Sequence, residues 1–187
     1  VSGSYIHDCG PMTIIVTVHG DQPRMYRFEN QLITGNLMER CGAGLHWADL
    51  ARMDNAQAEG FISNLEFSNN MVMYSGTGWV NGMIAQIDGT KSLFVSAIED
   101  LMGASNNDGI YIRNNVFYLS GQALLKYTDL MGDSDQAANA RPVFSGNTYA
   151  QYENGWLAEW NGDLKPITEA VIRDILGDTT GTVVVVN

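Results

Sequence analysis

An all-β fold, a solenoid of about five stacked β-coils finished by a C-terminal helix and strand, is what this sequence predicts, and three observations predict it. Residues that favour turns are abundant, with 20 Gly and 16 Asn but only 4 Pro among 187 residues, so many short elements joined by many turns are implied. A ten-residue motif returns along the chain at a near-constant interval. Within that motif one position is Asn in four of five copies.

The copies begin at Val1, Ile33, Phe67, Ile112 and Phe144, an apolar residue each time. The third position is Gly3, Gly35, Asn69, Asn114 and Gly146, the residue types that tolerate a left-handed backbone. The fourth is Ser4 and then Asn36, Asn70, Asn115 and Asn147. Two residues on stand Ile6, Met38, Val72, Phe117 and Tyr149, followed by Cys9, Cys41, Ser75 and Ser120 and then Gly10, Gly42, Gly76 and Gly121. This is a period-two strand entered and left through turns. The fourth-position residues are 32, 34, 45 and 32 residues apart, a repeat in which no coil buries its own face but stacked columns form a continuous core.

A second apolar run follows each motif: Thr13–Val16, Leu45–Ala48, Trp79–Gly82, Leu124–Tyr127 and Trp156–Glu159. Each coil therefore carries at least two strands, over residues 1–160. The interval of 45 exceeds the 32-residue intervals by 13 residues, and this comparison places an insertion at about 81–108. Its segment Ser92–Gly103 suits a short helix or an extra strand and turn. Over 161–187, Pro166 and Gly177 bracket an amphipathic helix with Ile167, Val171, Ile172, Ile175 and Leu176 on one stripe. The strand Thr182–Val186 follows. Together they are expected to cap the last coil, whose open edge would otherwise template aggregation. Val1 enters in repeat register and without an initiating Met, which predicts a processed boundary with N-terminal coils of a longer parent chain before it.

Charge excludes some partners. Ten Lys and Arg against 21 Asp and Glu give a formal net charge of -11, which argues against nucleic acid and against an anionic membrane surface, both of which recognise summed positive charge. The apolar stretches are far shorter than the ~20 residues that span a bilayer. With 45% hydrophobic residues, the acidity belongs to a folded domain rather than to a disordered tail.

The columns Ile33-Thr-Gly-Asn36, Phe67-Ser-Asn-Asn70, Ile112-Arg-Asn-Asn115-Val-Phe-Tyr118 and Phe144-Ser-Gly-Asn147 resemble those of right-handed parallel β-helix proteins of the pectate-lyase-like kind. The resemblance covers residues 1 to about 160 and the C-terminal portion of such a fold. It implies an Asn ladder inside the turns, in which each amide meets the one above and the one below. It also implies a secreted or cell-surface bacterial protein whose partner is polysaccharide, as a polysaccharide lyase, a glycoside hydrolase, or a non-catalytic adhesion or structural module. The chain lacks the Asn-Thr-Asp, Asp-Asp and Gly-His-Gly motifs of polygalacturonases and the Arg-Xaa-Pro-Xaa-Xaa-Arg of pectate lyases. No family catalytic residue carries over. No resident cofactor is expected, although calcium on an acidic cluster fits a lyase-like protein; Asp133 with Asp135, or Asp49 with Asp54, do not form a calcium-ligand motif.

Candidate site residues come from position and chemistry. Stacking sets equivalent residues ~4.8 Å apart, so His7, Glu39, Met73 and Tyr118 form one outward row, with Asp8 and Arg40 beside it as a cross-coil ion pair. His7 over Glu39 is either an acid–base or ligand pair, or a solvated face. In Leu45–Asp54, Trp47 offers a ring for stacking on a sugar, His46, Asp49 and Asp54 offer acid–base groups and Arg52 can hold substrate; from outside the segment Glu39 is a further acid–base candidate and His7 a further substrate-binding one. His46 also aligns with Val80, Leu125 and Leu157, which leaves a packed structural histidine as the alternative. Cys9 and Cys41 stack as two small buried thiols or as a disulfide.

Overall fold

In a computed structural model of the chain, the described residues are 1–8, 12–18, 22, 25–41, 43–49, 59–74, 96–100, 108–119, 123–127, 143–153, 156–160, 163–166 and 168–187. They are almost entirely strand, in three sheets with parallel pairing throughout except at one edge. The first sheet holds β1 (Tyr5–His7), β4 (Leu37–Glu39), β7 (Met71–Met73), β10 (Val116–Tyr118), β13 (Thr148–Gln151) and β16 (Thr182–Val185), in that order. The second holds β2 (Met12–Val18), β5 (Ala43–Asp49), β8 (Ser96–Asp100), β11 (Ala123–Tyr127) and β14 (Trp156–Trp160), with β15 (Asp163–Pro166) antiparallel at its end. The third holds β3 (Met25–Thr34), β6 (Glu59–Ser68), β9 (Asp108–Arg113) and β12 (Val143–Ser145). From β1 to β14 the chain visits the three sheets in turn, and each strand pairs with that of the preceding visit to the same sheet; β15 then stays in the second sheet and β16 returns to the first.

Register follows the sequence columns in the first sheet. Ile6, Met38, Val72, Phe117, Tyr149 and Val183 are successive partners, and Met38, Val72, Phe117 and Tyr149 are buried. The rings of Phe117 and Tyr149 stack at 5.8 Å. From the third sheet come Ile33, Phe67, Ile112 and Phe144, again consecutive partners and all buried. Each such side chain contributes roughly 1.5–3 kcal/mol by leaving water. The third strand of each repeat thus ends one residue beyond the apolar residue that opens the next motif.

The second sheet corrects one alignment. Leu45 pairs with Ile98, and Leu125 pairs with Ile98 and Ala158, so the strand opposite Leu45–Ala48 is Ser96–Asp100 and not Trp79–Gly82. The additional residues of the long repeat fall between Met73 and Ser96. An apolar pair such as Trp79-Val80 imitates a strand start in sequence, whereas register is decided by the hydrogen-bonded ladder. Residues 79–82 lie outside the described residues.

Polar order inside the turns holds the stack in register. Asn36 Nδ2 donates to Asn70 Oδ1 (2.9 Å), Asn70 Nδ2 to Asn115 Oδ1 (3.2 Å) and Asn115 Nδ2 to Asn147 Oδ1 (3.1 Å). The same oxygens accept the backbone N–H of Asn36, Asn70 and Asn115. The second amide hydrogen turns back to a carbonyl of the preceding repeat: Val1 for Asn36, Ile33 for Asn70, Phe67 for Asn115 and Ile112 for Asn147. Every donor and both lone pairs of each interior amide are therefore used. The neighbouring left-handed column is also as expected, with φ of 62°, 67°, 55°, 53° and 67° at Gly3, Gly35, Asn69, Asn114 and Gly146.

The ladder ends on a carboxylate. Asp178, 1% exposed, accepts from Asn147 N–H (3.2 Å), Asn147 Nδ2 (3.0 Å) and Tyr149 Oη (2.8 Å) through Oδ2, and from Gly146 N–H (2.9 Å) through Oδ1. At the last rung only acceptors are required, which an Asp supplies and an Asn does not. The segment that delivers it is a short helix, α1 (Glu169–Val171), running into a π-helical turn over Ile172–Leu176. Thr168 caps its start, and Gly177 closes it at φ 72°. Ile172 and Leu176 join the core while Val171 packs against it. Ile167 lies outside the described residues. Among the described residues no helix is long and apolar enough to cross a membrane.

Burial works to raise the Asp178 pKa, but hydrogen bonds from Asn147, Tyr149 and Gly146 outweigh it and hold the carboxyl below its ordinary value. Burial, then the nearby carboxylate, pushes the Tyr149 phenol well above its ordinary value. The folded state thus binds fewer protons at Asp178 than the unfolded state does, so stability is present above about pH 4 and is lost as pH falls through the lowered value. At Tyr149 the stability is present below about pH 10 and is lost as pH rises beyond it. Melting temperature against pH is expected to fall on both sides, and Asp178→Ala to flatten the acid limb. In urea titrations Asn115→Ala is expected to cost at least about 2 kcal/mol, because it leaves several buried groups unpaired. A Cβ on Gly181 would stand 2.7 Å from Asp178 Oδ2 and 3.0 Å from the Tyr149 ring; Gly181→Ala is expected to destabilise by about 1–3 kcal/mol in the same assay.

Candidate functional site

The outer face of the first sheet carries the polar cluster closest to a site. By alternation the rows beside the buried one are Tyr5–Leu37–Met71–Val116–Thr148–Thr182 and His7–Glu39–Met73–Tyr118–Ala150–Val184. Tyr5 is 56% exposed, and its ring stacks on that of His7 at 4.7 Å with the planes 23° apart. Farther along, Tyr74 and Tyr118 meet edge to face at 5.6 Å.

Five polar groups tie the first two strands of this face together. Tyr5 Oη donates to Glu39 Oε2 at 2.6 Å. Arg40 donates from Nε to Asp8 Oδ1 (2.6 Å), from Nη2 to Asp8 Oδ2 (2.9 Å) and from Nη1 to Glu39 Oε1. His7 Nδ1 lies 2.8 Å from Asp8 Oδ2. The fork between Arg40 and Asp8 is the bidentate geometry in which a guanidinium bonds a carboxylate best. Both residues sit in the left-handed region, Asp8 at φ 52° and Arg40 at 53°, a corner column continued by Tyr74 and Leu119. In each the backbone N–H donates to a carbonyl of the following repeat, Asp8 to Glu39 and Arg40 to Met73, which holds a conformation that side chains of this size seldom adopt.

Protonation follows these contacts. The Arg40 hydrogen bonds, then that of His7, hold the Asp8 carboxyl far below the usual carboxylate range. Asp8 in turn raises Arg40. The hydrogen bond to Glu39, with some desolvation, raises the Tyr5 phenol. A carboxylate so strongly ionised is a hydrogen-bond acceptor and not a proton donor.

The structure brings His7 and Glu39 opposite each other, but their hydrogen bonds run to Asp8 and to Tyr5 and Arg40. His46, Trp47 and Asp49 lie elsewhere, within β5 of the second sheet, and their backbone alone is described. Arg52, Asp54, Asp133, Asp135 and Cys9 lie outside the described residues, while Cys41 is a buried free thiol. The register gives His46 a different row from the one aligned in sequence. Its partners are Ile15 and Glu99, and the row continues through Lys126 and Glu159, so it is charged rather than apolar. Among the described residues no three His, Cys, Asp or Glu side chains gather into a metal-binding group.

No family model, curated protein or solved structure matches the chain. The site therefore rests on its own chemistry. Tyr5 and Asp178 were the residues that sequence columns left out. Tyr5 is readable from its outward parity one residue before Ile6. Asp178 reaches the ladder from outside the repeat, three residues before the position that Gly181 occupies.

Replacing Arg40 by Met is expected to raise the Asp8 pKa toward the ordinary value of about 3.9, with the His7 contact still holding it below, as followed by NMR titration of the carboxyl carbons. The melting temperature is expected to move little, because the pair is exposed on both sides.

Proposed function

We propose that the three sheets are the walls of a right-handed parallel β-helix from a secreted or cell-surface protein, and that its outer face on the first sheet binds polysaccharide. The fold reading draws on the successive visits to three sheets and on the left-handed corner columns between them. The functional reading draws on one observation above all, the exposed Tyr5–His7 ring stack set directly beside the Glu39 and Asp8 carboxylates. Aromatic rings offer a flat apolar surface to the C–H face of a sugar, and adjacent carboxylates accept its hydroxyls. Binding without cleavage suits this cluster better than hydrolysis or elimination, since Asp8 is locked ionised and Glu39 is bonded through both oxygens.

A second reading, cleavage of the same class of polymer, is favoured by the register of the second sheet, which sets His46 opposite Glu99 with Lys126 one strand further. A general base, an acid and a cation in one row are the groups that glycan hydrolysis or β-elimination employs.

A glycan array probed with the labelled chain is expected to give at least one polysaccharide signal, with Tyr5→Ala weakening it about tenfold, or about 1.4 kcal/mol. An array on which wild type and Tyr5→Ala are indistinguishable removes the binding reading for this face. Reducing-end and unsaturated-uronate assays on the same polymers separate the second reading: turnover abolished by His46→Ala and retained by Tyr5→Ala would establish it.

A further inference from the structure

Resting on the polysaccharide reading above, we infer that the outer face of the first sheet takes neutral sugar chains, held through hydroxyl groups and apolar ring faces, and that it rejects polyuronates. The inference comes from where cations stand. The six strands of this sheet, Tyr5–His7, Leu37–Glu39, Met71–Met73, Val116–Tyr118, Thr148–Gln151 and Thr182–Val185, contain no Lys or Arg. Among the described residues the one guanidinium directly following these strands is Arg40, and each of its three nitrogens donates to Asp8 or Glu39, so its charge is met by two carboxylates while two of its five N–H groups remain.

A uronate carboxylate needs a donor, preferably a cationic one. Arg40 could offer only its two remaining N–H groups, and the two carboxylates already bonded to it would stand beside the incoming charge. With His7 neutral, Asp8, Glu39 and Arg40 leave the cluster with one net negative charge, and the whole chain carries -11. Each further uronate adds repulsion that only salt screens.

Apart from those two N–H groups, the hydrogen-bonding capacity that remains in the clamp is acceptor capacity. A carboxylate pair offers about eight lone-pair sites. Asp8 and Glu39 use five of these, in bonds to Arg40, Tyr5 and His7. Asp8 remains 54% exposed and Glu39 21%, so sugar hydroxyls can reach them as donors. Past the clamp the rows turn apolar, through Met71, Met73, Val116 and Tyr118 with Tyr74 at the corner. Six strands at ~4.8 Å give a strip of about 24 Å, long enough for several sugars laid across the strands.

The test uses the full chain in affinity electrophoresis and calorimetry with dextran, galactomannan and xyloglucan as neutral probes, and polygalacturonate and alginate as uronate probes, at low and physiological ionic strength. The expected result is binding of at least one neutral polymer, weakened about tenfold by Tyr5→Ala and also by Glu39→Gln, with neither uronate retained. Unchanged melting temperatures of both variants, whose side chains lie at the surface, tie the losses to binding. Tighter retention of polygalacturonate or alginate than of every neutral polymer overturns the inference and leaves the polysaccharide reading standing. Absence of binding to all five overturns both. Neutral binding indifferent to Tyr5→Ala moves the site off this face and overturns the inference. So does a dimer in sedimentation velocity that Tyr5→Ala splits, since a second copy would then cover the strip.

Discussion

The buried amide ladder is the constraint on which the rest of the structure depends. Asn36, Asn70, Asn115 and Asn147 are each nearly inaccessible to water, and a buried carboxamide with any hydrogen-bonding site unfilled costs about 1–3 kcal/mol. Each amide is satisfied only by the next repeat at the same register. A slip of one residue would leave all four unpaired and would turn the buried Met38, Val72, Phe117 and Tyr149 row to solvent. The ladder is thus weak evidence for net stability and strong evidence for specificity, because it makes alternative registers costly rather than making the native one unusually favourable.

A ladder of this kind has two different ends, and the chain treats them differently. Toward the N-terminus the Asn column passes to Ser4, whose backbone N–H donates to Asn36 Oδ1 at 3.0 Å. Toward the C-terminus two donors on Asn147 remain, and a carboxylate meets them. The helix and π-helical turn that precede Asp178 serve to bring it there while laying Ile172 and Leu176 on the core. Gly181 leaves room for the carboxylate at the point where the repeat would otherwise place a side chain. Asp178, Tyr149 and Gly146 therefore form one unit, which explains why burial alone does not raise the Asp178 pKa.

Most of this was legible in the sequence where a residue type has one physical use. Apolar alternation identified the strands of the first sheet, Gly or Asn marked the left-handed corner, and the recurring Asn marked the ladder. Parity placed His7 opposite Glu39 and set Asp8 beside Arg40. Legibility failed where two segments satisfy the same local pattern. Trp79-Val80 and Ala97-Ile98 both look like a strand start, and only pairing with Leu45 chooses between them. It failed again at Asp178, since a lone Asp after a helix resembles any surface loop. The third strand of each repeat was half visible, through the apolar residue next to its end.

The same register that fixes the core also decides what the surface can recognise. Along the inner row every position must be apolar, so all chemical variety is confined to the two outer rows and the corners. On the first sheet those positions hold rings, thioethers and a clamp whose cation Arg40 is neutralised by its own carboxylates. On the second sheet the register row through His46 includes Glu99, Lys126 and Glu159, whereas Glu39 is the one Asp, Glu, Lys or Arg within the strands of the first. Recognition by stacking and by hydroxyl donation fits the former, and proton transfer would fit only the latter. Two faces with such different chemistry on one stack follow from a fold in which each sheet's outer rows vary independently, while the ladder and core tolerate almost no variation.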